Sequence, residues 1–351
     1  MEIEIDLLAR QYGEQLDPSL LTFPPARTLL GPAVQSALYN RMFDDATVWP
    51  QPPISYQTRV LKTLLARMEE AIRDPEEDEI TEALLEKWTT LLTQPKPDSL
   101  AQAQQLSYIR YTAPTPFPST PAAPARTILT SESRGLILAG GTTGFRTWEA
   151  ALHLGTYLST EAGRALVAGK RVIELGAGTG FLSLFVAKYL SPARVVATDR
   201  ETALIECMED CARRNGVAAA ESDSGTAPAG DGEVFESGIW EWGTPLGRRD
   251  EDERENVFDV ALGADLIYDT DLVPLLVETI RTLFTTHQIQ QFIIAATLRN
   301  QDTFQTFLDA CETSQLLTQR IDYSSPPPEE QTGFFHSHLI PISMYRITKG
   351  V

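Results

Sequence analysis

The stretch that decides the fold is Val172-Ile-Glu-Leu-Gly-Ala-Gly-Thr-Gly180. Its mostly apolar first four residues are typical of a buried β-strand, and three glycines at alternate positions then end that strand. Glycine lets the backbone turn tightly and approach a ligand without a Cβ atom in the way. A helical pattern follows over residues 180–190. The stretch therefore predicts a strand–loop–helix unit with a ligand site at the carboxyl end of its strand.

Further apolar runs alternate with helical patterns on the carboxyl-terminal side of this unit. Buried strands that are each followed by a helix indicate an α/β fold with a mostly parallel, doubly wound sheet. The predicted strands are 171–175, 194–198, 257–264 and 291–298, and the predicted helices between them are 180–190, 201–214 and 271–286.

The first third of the chain has a different pattern. Apolar residues recur at helical spacing over residues 1–95, and residues 113–124 hold five prolines. Small residues and a charge run between 219 and 256 predict an insertion in the sheet-containing part. We therefore predict three parts: a helical N-terminal region (1–112), a proline-rich connector (113–130) and a domain containing the sheet (131–351).

The composition and the overall charge restrict the partners of the protein. The 351 residues include 29 Lys and Arg against 48 Asp and Glu, a formal net charge of −19. Such a charge repels phosphate backbones, so we expect no direct nucleic-acid partner. We also expect no membrane partner and a cytoplasmic location, because no apolar run approaches the ~18 residues of a membrane helix and no signal-peptide pattern is present.

The cysteines and histidines show no metal-binding spacing. Cys207 and Cys211 share a helical face, but no second Cys/His pair stands at zinc spacing, so buried or free thiols are the favoured interpretation. His336 and His338 alternate, which we interpret as a strand-like segment. We therefore expect no metal.

Glu174 narrows the choice of ligand for the glycine loop. Such loops hold NAD, FAD and S-adenosylmethionine alike, so the glycines alone are weak evidence. A carboxylate two positions before the first glycine would repel an anionic pyrophosphate, whereas it would attract the ammonium group of S-adenosylmethionine. Phe181 also stands where a dinucleotide fingerprint requires glycine. The residues therefore favour S-adenosylmethionine as cofactor.

A second acidic residue, Asp199, directly follows the second predicted strand, 23 positions after Gly176. At this place an acidic side chain can accept hydrogen bonds from both ribose hydroxyls of a bound nucleoside. The alternative is that Asp199 caps the following helix. One residue can serve both purposes.

Asp265 and Tyr268 follow the third predicted strand, at the strand end where ligands of doubly wound sheets bind. A carboxylate and a phenol three residues apart can converge on one side of a turn, although a cap for the helix 271–286 is the alternative. Enzymes that methylate amino groups of nucleic-acid bases carry Asn/Asp-Pro-Pro-Tyr here. This chain has Asp-Leu-Ile-Tyr, which argues against a flipped base as substrate.

Four motifs together resemble the seven-β-strand protein-lysine methyltransferases, whose signature is Asp-x-x-Tyr. They are Thr142-Thr-Gly-Phe-Arg-Thr-Trp-Glu-Ala-Ala-Leu152, the loop after Glu174, Trp240-Glu-Trp-Gly243 and Gly263-Ala-Asp-Leu-Ile-Tyr268. Within that family, the long N-terminal region, Thr142-Thr-Gly144 and Ala296-Thr-Leu-Arg-Asn300 are similar to the branch that methylates elongation factor 2. The resemblance covers about residues 131–348 and implies a Rossmann-like, seven-stranded class I methyltransferase domain.

The resemblance also implies roles for the candidate residues. Trp148 would lie along the cofactor, the backbone of Gly176, Ala177 and Gly178 would hold its methionine part, Asp199 would bind ribose, Trp242 would lie against adenine, and Ala264 would touch the cofactor. Because the match is irregular between 219 and 236, Trp240 is the alternative to Trp242, and either tryptophan can instead belong to the core.

Methyl transfer to lysine would involve Asp265 and Tyr268. The enzyme must present a neutral amine in line with the sulfonium carbon, but free lysine has a pKa of about 10.4 and is charged at pH 7. A carboxylate raises that pKa, so we expect Asp265 to capture and orient the lysine, and Tyr268 to supply a ring face and a hydroxyl.

We therefore predict a protein-lysine N-methyltransferase that uses S-adenosylmethionine and acts on elongation factor 2. The alternatives are a methyltransferase for another protein, RNA or a small molecule, and a non-catalytic cofactor-binding scaffold. The N-terminal helices either recognise the protein substrate or only stabilise the domain.

Overall fold

The structure, a computed structural model, describes residues 1–95, 105–114, 124–135, 142–217, 234–246 and 257–350. Most of the predicted connector (115–123) and of the predicted insertion (218–233 and 247–256) therefore lies outside the described residues. The chain forms two compact units. The first comprises Met1–Thr112 and Glu132–Leu136, and the second comprises Ala113–Ser131 and Ile137–Val351.

The first unit is mainly helical and has its own apolar core. Leu61, Leu64 and Met68 recur at helical spacing on α4 and are fully buried. They pack with apolar residues of the other helices of the unit. Its elements are α1 (Glu2–Gly13), α2 (Ala26–Leu29), α3 (Pro32–Leu38), α4 (Ile54–Ala71), α5 (Glu82–Thr93) and strand β1 (Ser107–Thr112), with a π-helical turn at Tyr39–Phe43. β1 lies within the N-terminal region (1–112) that we predict to be helical, but beyond residue 95, where the helical pattern ends.

The second unit contains a seven-stranded sheet, which confirms the predicted α/β fold. The strand order is β5-β4-β3-β6-β7-β9-β8; β3 to β7 pair in parallel, and β9 is antiparallel to both β7 and β8. The strands of this sheet are β3 (Arg171–Leu175), β4 (Arg194–Asp199), β5 (Phe235–Ile239), β6 (Val260–Ala264), β7 (Gln291–Thr297), β8 (Leu316–Ile321) and β9 (Ile342–Lys349). A further strand, β2 (Thr127–Glu132), precedes the sheet and begins within the predicted connector. The helices are α6 (Glu149–Leu158), α7 (Glu161–Val167), α8 (Phe181–Tyr189), α9 (Thr202–Asn215), α10 (Val273–Thr285) and α11 (Gln301–Thr313).

The strand order determines where a ligand can bind. β3 lies between β4 and β6, so the connections that follow β3 and β4 lead away from those that follow β6 and β7. This divergence opens a crevice beyond the carboxyl ends of the strands, the usual ligand site of such sheets. The strands beside the crevice are firmly packed, since Ile173, Leu175 and Phe292 are fully buried.

The start of β6 differs from the prediction. The apolar run begins at 257, but the strand begins at Val260 because Asp259 is held by the neighbouring strand. Its carboxylate accepts hydrogen bonds from the Arg171 backbone N–H (2.8 Å) and from the Arg171 side chain (2.8 and 3.1 Å). This ion pair fixes the amino ends of β3 and β6 beside each other.

The strand-like interpretation of His336 and His338 is wrong, because both lie in the loop between β8 and β9. Nε2 of His336 lies 3.4 Å from Nδ1 of His153 on α6. Burial lowers the pKa of His336 to about 4 and that of His153 to about 3, so both rings are neutral at pH 7. Within the described residues, no group of His, Cys, Asp and Glu side chains is arranged to hold a metal ion.

Among the helices that the structure describes, none combines the length and the apolar character needed to cross a bilayer.

Candidate active site

A cavity of about 780 Å³ lies at the carboxyl ends of β3, β4 and β6. Its volume falls within the range of about 300–1,000 Å³ that is typical of small-molecule sites. All ten candidate residues line it: Trp148, Glu174, Gly176, Ala177, Gly178, Asp199, Trp242, Ala264, Asp265 and Tyr268. The structure thus brings together residues that were singled out in five separate stretches of the sequence.

The glycine loop has a backbone that other residues would not adopt easily. Gly176 and Gly178 have φ angles of +57° and +55°. A Cβ atom at Gly176 would lie 2.8 Å from the Leu266 side chain, and one at Gly178 would lie 2.9 Å from the Gly144 carbonyl oxygen. The Ala177 N–H donates to the Thr198 carbonyl at 2.9 Å, which ties the loop to the end of β4. The loop therefore offers bare backbone to the cavity.

Glu174 is 3% exposed, and only one of its two carboxylate oxygens has hydrogen-bond partners among the described residues. Oε2 accepts hydrogen bonds from the Ser183 backbone N–H (2.9 Å) and from the Ser183 hydroxyl. Among the described residues, Oε1 has no hydrogen-bond partner. Burial raises the pKa of Glu174 to about 7, although the two bonds from Ser183 oppose this shift. A cationic group in the cavity would favour the charged carboxylate.

Asp199 organises the loop as well as facing the cavity. Its Oδ2 accepts from the Gly178 N–H (3.0 Å), and its Oδ1 accepts from the N–H groups of Arg200 (2.8 Å) and Glu201 (3.3 Å). Burial raises the pKa of this carboxyl group. The N-cap of α9 is Glu201, so Asp199 supports the turn before the helix instead of capping it. Of about four acceptor positions on a carboxylate, one remains, on Oδ2.

Trp148 stands at the N-cap of α6 and is fixed from several sides. Its indole N–H donates to the Thr143 carbonyl at 3.2 Å. The guanidinium carbons of Arg146 and Arg299 lie 4.9 Å and 5.1 Å from its ring centroid. Two cation–π contacts therefore restrain the ring at the edge of the cavity.

The structure distinguishes the two tryptophans of the Trp-Glu-Trp stretch. Trp240 is 3% exposed and belongs to the core, and its indole N–H donates to the Thr244 carbonyl at 3.0 Å. Trp242 is half-buried, and its ring lies 3.6 Å from the position that a Cβ atom of Gly176 would take. Both line the cavity, but Trp242 is the one whose ring lies against the glycine loop.

Asp265 has a φ of +54°, and its side chain is 8% exposed. Its N–H donates to the Ala295 carbonyl at 2.9 Å, which continues the pairing of β6 with β7 just beyond Ala264. Its Oδ1 accepts from the Thr297 N–H (2.7 Å), and its Oδ2 accepts from the Thr297 hydroxyl (3.0 Å) and from Arg299 (3.3 Å). One acceptor position remains, on Oδ1.

Tyr268 differs from Asp265 in its exposure, since it is 61% exposed while lining the same cavity. The three-residue spacing therefore does bring the phenol and the carboxylate to one cavity, with the phenol at its rim and the carboxylate inside.

Three residues that hold the candidate side chains had no role assigned from the sequence: Ser183, Thr297 and Arg299. Thr297 and Arg299 belong to the Ala296–Asn300 motif, which was quoted without a role for any of its residues. Their position could have indicated a role: Thr297 ends β7 and Arg299 follows it, and the carboxyl end of β7 lies beside that of β6.

Comparison with known proteins identifies the family. Residues 138–314 match the family model described as lysine methyltransferase. The chain belongs to the lysine methyltransferase family. It is 36% identical to the protein-lysine N-methyltransferase EFM3 of Chaetomium thermophilum, over 95% of both chains. It is 28% identical to the Saccharomyces cerevisiae EFM3, over 79% of this chain and 78% of the relative. It is 26% identical to the human protein-lysine N-methyltransferase EEF2KMT, over 85% of this chain and 81% of the relative.

The prediction of a protein-lysine methyltransferase is thereby confirmed. The roles of the individual side chains in this lysine methyltransferase remain predictions, for which the cavity supplies the geometry.

Proposed function

We propose that this lysine methyltransferase uses S-adenosylmethionine and methylates a lysine of elongation factor 2. The observation that carries the choice of cofactor is the buried Glu174 carboxylate, whose Oε1 has no partner among the described residues and stands next to the glycine loop. This pair of features fits a ligand that carries an ammonium group and needs close backbone approach. A dinucleotide would place its phosphates beside a buried carboxylate.

The residues of the cavity fit S-adenosylmethionine group by group. Gly176 to Gly178 would hold the methionine part, with Glu174 opposite its ammonium group. The remaining acceptor position of Asp199 would take a ribose hydroxyl, and the half-buried ring of Trp242 would cover adenine. Trp148 and Ala264 would complete the wall near the reacting end. When bound, the cofactor supplies a methyl group on a sulfonium centre.

The lysine would enter past Tyr268 and reach Asp265. The exposed phenol at the rim offers a ring face to the lysine side chain. The remaining acceptor position on Oδ1 of Asp265 can hold one N–H of the amine and so direct its lone pair. This assigns Asp265 and Tyr268 to orientation of the amine.

Elongation factor 2 is supported as substrate by the names of the relatives and by the motifs similar to its methylating branch. The EFM3 of Chaetomium thermophilum aligns with 95% of this chain, and the human EEF2KMT aligns with 85% of it. Such a substrate implies a cytoplasmic enzyme. The test is mass spectrometry of elongation factor 2 from cells with and without this protein. We expect one lysine to lose its methyl groups in the deletion and to regain them with the wild-type chain but not with Asp265→Ala. Unchanged methylation would contradict the proposed substrate.

The first unit is our candidate for substrate selection. It has its own buried core, while the residues that line the cavity belong to the second unit. We expect a folded chain that begins at Ala113 to retain cofactor affinity but to methylate the protein substrate at least about tenfold more slowly, because a lysine channel alone provides less than the ~800 Å² per partner of an ordinary interface. Undiminished methylation would exclude a recognition role. Loss of folding or of cofactor binding would favour the structural alternative.

A further inference from the structure

The Ala296-Thr-Leu-Arg-Asn300 motif has three polar side chains, and two of them have evident structural tasks. Thr297 donates twice to Asp265. Asn300 is the N-cap of α11 and accepts from the N–H groups of Asp302 (2.9 Å) and Thr303 (3.3 Å). Neither task requires the arginine between them. Arg299 therefore needs an explanation of its own.

Arg299 places a positive charge directly beside the buried carboxylate of the lysine site. Its Nη1 and Nη2 atoms both lie 3.3 Å from Oδ2 of Asp265. Nη2 also lies 3.5 Å from Oε2 of Glu149, and the guanidinium group stands over Trp148. The side chain is half-exposed and lines the cavity. Two carboxylates and an indole thus fix it in one orientation, facing the ligand space.

An unpaired buried carboxylate would be a poor partner for a nucleophilic amine. It would bind lysine tightly as the ammonium ion and raise its pKa, and the ammonium ion has no lone pair for the methyl group. A guanidinium group stays charged at every relevant pH, so its pairing with the carboxylate persists across the range in which lysine titrates. The pair leaves an acceptor that orients the amine while adding little net negative charge.

We propose that Arg299 is a positioning residue for methyl transfer: through its ion pair with Asp265, it lets the lysine site accept the neutral amine instead of trapping the ammonium ion. This inference rests on the proposed role of Asp265 in binding lysine. It names a determinant of the pH range in which the enzyme works.

The other charged and titratable groups around the cavity come from several segments, and their sequence is the same in every Arg299 variant. They are Arg146 and Glu149 at the start of α6, Glu174 at the end of β3, Asp199 and Arg200 after β4, Glu241 after β5, and Tyr268 and Asp269 after β6. Because Arg299 also contacts Glu149 and Trp148, a control must separate those two contacts from the ion pair with Asp265.

The experiment measures single-turnover methyl transfer to elongation factor 2 from pH 6.5 to 10, with the full-length protein and saturating S-adenosylmethionine. For Arg299→Gln we expect the midpoint of the rise in rate to move up by about one pH unit, so that a deficit of about tenfold at pH 7 nearly disappears at pH 10. Arg299→Lys should keep the wild-type midpoint because it keeps the charge. Arg299→Met provides a second neutral variant.

Arg146→Gln is the matched control. Arg146 lies over the same Trp148 ring and 3.9 Å from the same Glu149 carboxylate, but it makes no ion pair with Asp265. For Arg146→Gln, the pH midpoint of the rise in rate should equal that of the wild type, even if the rate itself is lower. A deficit of Arg299→Gln and Arg299→Met that is equal at every pH would overturn the inference and leave Arg299 a purely structural residue.

The same series separates this inference from the proposed substrate. If the wild type transfers nothing to elongation factor 2 at any pH, the substrate is wrong, and the profiles are recorded on the protein that the wild type labels in an extract of cells lacking it. If the wild type is active and the midpoints coincide, the substrate is supported and the role of Arg299 is wrong.

Discussion

Asp199 and Asp265 follow strands of the same sheet and face the same cavity, but they are held in different ways. Asp199 is held by three backbone N–H groups within 21 positions of it. Asp265 is held by the backbone N–H and the hydroxyl of Thr297, at the end of β7, and by the side chain of Arg299 just beyond it, 32 and 34 positions away. Each carboxylate keeps one acceptor position. We call the part of the cavity around Asp199 and the glycine loop the cofactor half, and the part around Asp265 and Tyr268 the lysine half. Backbone groups, which change little with sequence, hold the cofactor half, whereas the lysine half depends more on a few side chains.

The largest effect should come from adding a side chain to the glycine loop in the cofactor half. In Gly178→Ala, the new Cβ atom would lie 2.9 Å from the Gly144 carbonyl at a φ of +55°. Strain and displacement together should lower cofactor affinity by about 1,000-fold, measured by calorimetry. Gly169→Ala is the matched control, because Gly169 has a φ of +68° but nothing within 4 Å. Equal affinities of the two variants would show that the close approach at Gly178 does not determine cofactor binding.

A substitution in the lysine half should slow methyl transfer without weakening cofactor binding. We expect Asp265→Ala to slow single-turnover methyl transfer by about 100-fold, because the amine is no longer oriented, while cofactor affinity stays within about threefold. Asp265→Asn keeps an oxygen acceptor for Thr297 and should retain more activity than the alanine variant. A parallel fall of affinity and rate would make Asp265 a cofactor ligand and remove the contrast between the two halves.

Asp199→Ala tests the contribution of a side chain to the cofactor half. We expect S-adenosylmethionine binding to weaken by about 2–3 kcal/mol, because a charge-assisted hydrogen bond to ribose is lost and the Gly178 N–H loses its partner. Asp199→Asn should cost less, since it removes the charge but keeps one oxygen. An affinity of Asp199→Ala within threefold of wild type would exclude the ribose assignment.

The smallest effect concerns pH. Burial raises the pKa of Glu174 to about 7, so the free protein carries a largely protonated carboxyl group at pH 6. A bound ammonium group favours the charged form, so binding must release this proton at low pH. Cofactor affinity should therefore rise about tenfold between pH 6 and pH 8. Glu174→Gln should bind the cofactor weakly, and its affinity should change less with pH. A pH dependence as steep as that of the wild type would show that another group causes it.

The parts of the molecule that sequence alone predicts are those governed by local rules. β3 has the predicted bounds 171–175, and Glu174 and Asp199 were found because glycines and strand ends are visible in a short window. The position of Thr297 at a strand end was visible in the sequence, but its hydrogen bonds to Asp265 were not, because they require knowing that β6 and β7 are neighbours. The start of β6 was misjudged for a related reason: Asp259 is held by Arg171, 88 positions away.

β9 has a consequence for how the molecule is made. This strand, Ile342–Lys349, lies between β7 and β8, and it is synthesised after every other strand of the sheet. Until it arrives, β7 and β8 present facing backbone edges to the surroundings, which invites contact with other nascent chains. β3, β4 and the glycine loop can assemble earlier, whereas β7 carries Thr297 and gains its second neighbour last. A nascent chain halted before Ile342 would thus hold a nearly finished cofactor half beside an unsupported lysine half.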